Sequence, residues 1–123
     1  MISLRIIDSI TELQPADAGC IALSGSHGGL SSARYAQAVR PLLSVFNDAG
    51  IGLDDAGIAG LALLQSHGLA ACAVSHTSAR IGQAASTLND GVVSCANDAA
   101  LALGITLEQP LEPQIDHLSR RHT

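Results

Sequence analysis

The sequence predicts a single α/β domain: a mostly parallel sheet of about five strands with helices on both faces. Three observations carry that expectation. Short apolar runs alternate with longer segments of helical character. The runs are continuously apolar, as strands covered on both faces are, where half-exposed strands would alternate. Polar and ionisable side chains follow the runs, whereas glycine, proline and leucine precede them.

In chain order, "SLRIID" reads as a short first strand, and "TELQPADAG" with Pro15 and Gly19 as a connection. "CIALS" (residues 20–24) is the second strand, bounded by Gly19 and Gly25. "SSARYAQAVRPL" is a helix that Ser31 or Ser32 can cap and that Pro41 ends at Arg40. "LLSVF" (42–46) is the third strand, followed by a turn-rich stretch to Asp54, which caps the next helix; Gly68 stops it. Gly57 and Gly60 weaken that helix and imply close packing in return. "AACAV" (70–74) and "VVSCA" (92–96) are strands, and the stretch between them is a loop and helix with Ser78 as a possible cap. "NDAALAL" is a short helix ended by Gly104, "ITLEQPL" a last extended piece, and residues 112–123 a polar tail beyond a domain of 1–111. An alternative closes the sheet toward a barrel-like β/β/α form, with "LGITLEQPLE" pairing antiparallel to the first strand.

Composition bounds the function. The 123 residues suit one domain, and 47% hydrophobic against 14% charged residues give ample core material. A net charge of −5, with all six basic residues arginine, argues against a nucleic-acid partner, which needs a basic patch. No apolar run approaches the ~20 residues of a membrane span, and the N-terminus is too polar for a signal peptide. Cys20, Cys72 and Cys95 sit in apolar runs without C-x-x-C spacing, which suggests reduced, buried thiols in a cytoplasmic protein. With one Tyr, one Phe and no Trp, the core is built from small aliphatics, and a homo-oligomer would help to bury enough surface.

Ligands of an open parallel sheet bind beyond the carboxyl ends of the strands. There the sequence places Ser24-Gly25-Ser26-His27-Gly28-Gly29, then Asn47-Asp48, then Ser75 to Ser78 with Arg80, then Asn97-Asp98. Residues 26–29 would offer amide N–H groups ahead of a helix, a cradle for an anion; a turn needing only its glycines is the plainer alternative. Ser26, His27, His76 and Asp48 are types that make a nucleophile, a base and an orienting acid, with His76 the better-placed partner for Ser26. Gly25, Gly28, Gly29, Asn47, Ser78 and Arg80 are the candidate binding residues, Arg80 as a carboxylate clamp. His67, at a helix C-terminus, complements the dipole, and His117 and His122 carry little signal. Neither G-x-x-x-x-G-K-[ST] nor G-x-G-x-x-G is present, and no local pattern supports a metal set of His27, His76 and Asp48. No cofactor is called for. The expectation is a small cytoplasmic enzyme acting on a small anionic, carboxylate-type metabolite by His-assisted acid/base or Ser/His chemistry. A non-catalytic anion-binding or scaffolding subunit that works as an oligomer is the alternative.

Overall fold

The computed structural model describes residues 2–121. Five strands, β1 (Leu4–Ile7), β2 (Ile21–His27), β3 (Leu43–Asn47), β4 (Ala70–Val74) and β5 (Val93–Ala96), form one sheet in the spatial order β1-β2-β3-β4-β5. The first four run parallel, and β5 is antiparallel to β4. The sheet is open: β1 and β5 are its two edges, so it does not close into a barrel. The segment expected as a final extended piece makes only an isolated bridge, Val92 with Pro110.

Parallel strands in sequential order, joined by right-handed crossovers, put their connecting helices on one face. Here α1 (Leu30–Val39) and α2 (Ala59–Ser66) lie side by side. They cover Ala22, Phe46, Ala71 and Ala73 with Ala33, Ala36, Leu61 and Leu64. On the other face α3 (Ala84–Asp90) packs on β1, β2 and α5 (Leu111–Ser119), and α4 (Asp98–Ala102) packs on β4. Leu23, Val45, Cys72 and Val74 point into this second layer. Both faces of β3 and β4 are therefore buried, which explains why their runs are continuously apolar. Each fully buried Leu, Ile, Val or Phe contributes roughly 1.5–3 kcal/mol.

The helix boundaries differ from the expected ones for identifiable reasons. α1 starts at Leu30, with Gly29 at the cap position and Ser31 and Ser32 inside its first turn, because β2 runs on to His27. It ends at Arg40, in the left-handed region at φ 63°, just before Pro41. Asp54 caps nothing: it lies at φ 54° in a 3-10 turn over Leu53–Asp55, and α2 begins only at Ala59. Gly60 donates its N–H to the Gly28 carbonyl at 2.8 Å. A Cβ there would come within 2.5 Å of the Gly29 oxygen and 2.6 Å of the Ala33 Cβ, so the helix glycine is required by close approach to α1 and the β2–α1 turn. Ala84, at the start of α3, donates its N–H to Asp8 Oδ1 at 2.9 Å, a capping contact from the end of β1 rather than from Ser78.

The polar tail expected from residue 112 is instead α5. Leu111, Ile115 and Leu118 are buried at 0%, 1% and 2% exposure, and this stripe seals the second face. His122 lies outside the described residues. Cys20 and Cys72 are buried, Cys95 is partly buried, and all three are free. Burial, with Cys95 nearby, pushes the Cys72 thiol up to about 12. No helix among the described residues is long and apolar enough to cross a membrane.

Candidate functional site

Because β2, β3 and β4 are parallel and in register, with His27 beside Asn47 and Asn47 beside Val74, their carboxyl ends share one edge. The chain leaves β3 at Asn47 and turns through Asp48, and it leaves β4 at Val74 and turns through Ser75 and His76. Asp48 and His76 meet there.

Asp48 is the centre of the cluster. It is only 4% exposed. Its Oδ1 accepts from the Gly50 amide at 2.8 Å and the His76 amide at 3.0 Å, and its Oδ2 accepts from Ser94 Oγ at 2.7 Å. The His76 ring completes the shell, with Nδ1 at 3.4 Å from Oδ1. Burial is the largest single influence on the Asp48 carboxyl and acts to raise its pKa. The hydrogen bonds from Ser94, Gly50 and His76, joined by the His76 ring, outweigh it, so Asp48 titrates below its ordinary value. The result is a buried, ionised carboxylate. The imidazole beside it has a side chain 56% exposed to solvent.

His27 ends β2. The Gly29 N–H donates to its Nδ1 at 3.0 Å, and Ser32 Oγ lies 3.4 Å from the same nitrogen. The ring thus closes the start of α1, where Gly29 has no side chain to serve as a cap. Beside His27 the surface sinks into an open depression of about 340 Å³, walled by Ala49, Ile51, Gly52, Ala56, Gly57 and Ile81. Its lining is mainly aliphatic. The turn beneath it is unusual: Ala49, Ile51, Asp54 and Asp55 all have positive φ, as do Gly50 and Gly52. A β-branched residue such as Ile51 at φ 67° is a strained exception.

Comparison of the chain with protein-family models, curated proteins and solved structures finds no match to any of them.

Several candidate residues are placed differently from the roles the sequence suggests. The Gly28 N–H donates to the Asn47 carbonyl at 3.1 Å and that of Gly29 to His27, so neither amide is free for an anion. Gly25 lies within β2, where it donates to Asp8 O and accepts from the Gly82 N–H. A Cβ on Gly25 would collide with the Gly82–Gln83 backbone, which accounts for its glycine. Ser26 Oγ accepts from the Ile10 N–H at 2.9 Å and makes no hydrogen bond to His76 among the described residues. Asn47, fully buried, donates to Ala79 O at 3.1 Å and accepts from Ala49 N at 2.8 Å, holding the exits of β3 and β4 together. Ser78 Oγ accepts from the Val92 N–H and donates to Ser75 O, joining the exit of β4 to the entry of β5. Arg80 is exposed, and its guanidinium has no hydrogen-bond partner among the described residues.

One whole element is reversed. Asn97 and Asp98 follow a strand antiparallel to β4, so they lie at the opposite edge, where Asn97 pairs with the backbone of Ala71. The same reversal brings Ser94 to Asp48. Sequence reasoning missed Ser94 because it reads as a strand-interior serine until the direction of β5 is known. What remains at the edge is a buried acid beside an exposed imidazole, a second imidazole two strands over, and a small apolar depression.

Proposed function

We propose that the chain is an enzyme in which His76 moves a proton to or from a small metabolite, oriented by Asp48. The observation that carries this is the Asp48–His76 pair. A carboxylate 3.4 Å from Nδ1 favours the ring proton on that nitrogen, which leaves Nε2 as the basic atom. Ser94 and the Gly50 amide fix the carboxylate, so the ring is held by groups that are themselves held. The unpaired Arg80 guanidinium on the same edge favours a substrate bearing a carboxylate. The serine branch of the expectation has less support, since the Ser26 hydroxyl is engaged with Ile10.

The test is turnover on a panel of small hydroxy-, oxo- and ester-bearing carboxylates. Activity of the native chain should fall by roughly 10²–10⁴-fold in His76→Ala and return in part when imidazole is added. Turnover that His76→Ala leaves intact would overturn the assignment. A non-catalytic oligomeric subunit is the second reading, supported by edge strand β1, whose outer side pairs with no other strand among the described residues and whose Leu4 and Ile6 are 38% and 47% exposed. Light scattering showing a multiple of 12.5 kDa, with no turnover, would favour it.

A further inference from the structure

We infer that the two histidines of this edge are held in opposite tautomers and that together they suit a carbonyl substrate, from whose α-carbon His76 removes a proton while His27 hydrogen-bonds the carbonyl oxygen. This rests on the acid/base role proposed for His76 and adds the substrate class. The tautomers follow from the partners of each Nδ1. At His27 the partner is an amide N–H, a donor that can only donate, so Nδ1 is the acceptor and the ring proton sits on Nε2. At His76 the nearest polar atom to Nδ1 is a carboxylate oxygen at 3.4 Å, whose negative charge favours the proton on Nδ1 and leaves the lone pair on Nε2. One ring thus presents an N–H donor and the other a base.

The two rings border the same turn. His27 shares its depression with Ala49, Ile51 and Gly52. The His76 ring carbon Cε1 lies 3.5 Å from where a Cβ on Gly50 would stand. Their strands, β2 and β4, are separated only by β3, which sets the two backbones about 10 Å apart at ~4.8 Å per strand. A ligand lying across the turn of residues 49–52 would therefore border both rings. The step balances within the substrate. The His76 Nε2 lone pair takes the α-proton. The C–H electron pair becomes the C=C bond of an enolate, and the carbonyl π pair moves to oxygen. The His27 Nε2–H stabilises that oxyanion by a hydrogen bond without giving up its proton. Return of the proton to the same carbon gives exchange with solvent; in an α-hydroxycarbonyl, passage of the hydroxyl proton to the enolate oxygen with delivery of the carbon-bound proton to the former carbonyl carbon gives isomerisation. A neutral donor is enough because the oxygen needs stabilising, not protonating.

The test has two arms on the intact chain. Long-range ¹H–¹⁵N correlation of the histidine side chains should show the Nε2–H form at His27 and the Nδ1–H form at His76. In D₂O, 2-oxobutyrate and dihydroxyacetone should exchange their α-protons at least about tenfold faster with the protein than in buffer. His76→Gln should bring exchange back to the buffer rate, and His27→Ala should lower it about 10²–10³-fold. His27→Gln, which keeps an N–H donor, should recover part of that loss and shows that the fold tolerates the position. Identical tautomers at the two histidines, or exchange unchanged in His27→Ala, would overturn the inference and leave the His76 assignment standing. His76-dependent cleavage of an ester without exchange of either ketone would do the same. Loss of His76 dependence for every substrate would instead remove the proposed function beneath it.

Discussion

The two ends of β4 carry two buried polar networks that differ in one respect. At its amino end Asn97 is 8% exposed and saturated. Its Oδ1 accepts from Ala71 N and Ala100 N, and its Nδ2 donates to Leu61 O and Leu69 O. Every polar atom of that amide faces backbone, so it ties β4, α2 and α4 together and has no valence left for anything else. At the carboxyl end Asp48 is as buried and nearly as saturated, yet its network runs outward to an imidazole that is more than half exposed. A closed neutral network rigidifies a core. A charged network with an open terminus delivers its effect to solvent, or to a ligand. Burial and hydrogen-bond count alone do not separate a structural polar residue from a functional one; the free end does.

The comparison is broken most severely at Asn97. Asn97→Ala leaves the Ala71 and Ala100 N–H groups without their acceptor, takes a donor from the Leu61 and Leu69 carbonyls, and removes the α4 cap. The expected loss is about 3–5 kcal/mol in urea unfolding, enough to unfold a marginal domain. A loss below ~1 kcal/mol would mean that water replaces the amide and that the network is not a structural tie.

Asp48→Asn sharpens the contrast because it keeps the shape and removes the charge. The expected cost near neutral pH is about 1–3 kcal/mol, the range for hydrogen bonds to an ionised group. The sign of its pH dependence follows from the lowered carboxyl. A group whose folded pKa lies below its unfolded value, near ~3.9 for Asp, adds stability that is present above that value and lost as pH falls through the folded one. The gap between native chain and Asp48→Asn should therefore be constant above about pH 5 and narrow below pH 4. Paired urea titrations check this, and a gap that widens in acid would contradict an ionised Asp48.

How much of this was legible follows from the same two ends. The continuous apolar runs of β2, β3 and β4 identified the parallel core and, with it, the edge where Asp48 and His76 meet. The direction of β5 was not legible, because an apolar run has no polarity; only the pairing of Cys72 with Ala96 and of Val74 with Val93 reveals it. That one unknown exchanged the places of Ser94 and Asn97. "SGSHGG" looked like a loop because glycine and serine are turn residues. In the fold Gly25 continues β2 past the strand's apolar part, since only glycine lets the Gly82–Gln83 backbone pass so close. The tail held a readable signal, Leu111, Ile115 and Leu118 at helical spacing, hidden among charged neighbours that face solvent.

The smallest stability effect belongs to His76, and it is the one that decides between the two kinds of network. If His76 were a structural member of the Asp48 cluster, as Asn97 is of its own, then His76→Gln would cost stability on the scale of Asp48→Asn. The geometry argues otherwise. Its ring is 56% exposed, and Nδ1 at 3.4 Å is long for a hydrogen bond. The tighter contact with Asp48 comes from the His76 main-chain N–H at 3.0 Å, which a glutamine keeps. His76→Gln should therefore change unfolding free energy by no more than about 0.5 kcal/mol, as exposed substitutions do. Turnover, by contrast, should fall by roughly 10²–10⁴-fold, the share a positioned acid or base supplies. Urea unfolding and the turnover panel, run on the same preparation, measure both. Stability lost together with activity would make His76 a strut of the fold; activity lost with stability kept would make it the working end of the Asp48 network.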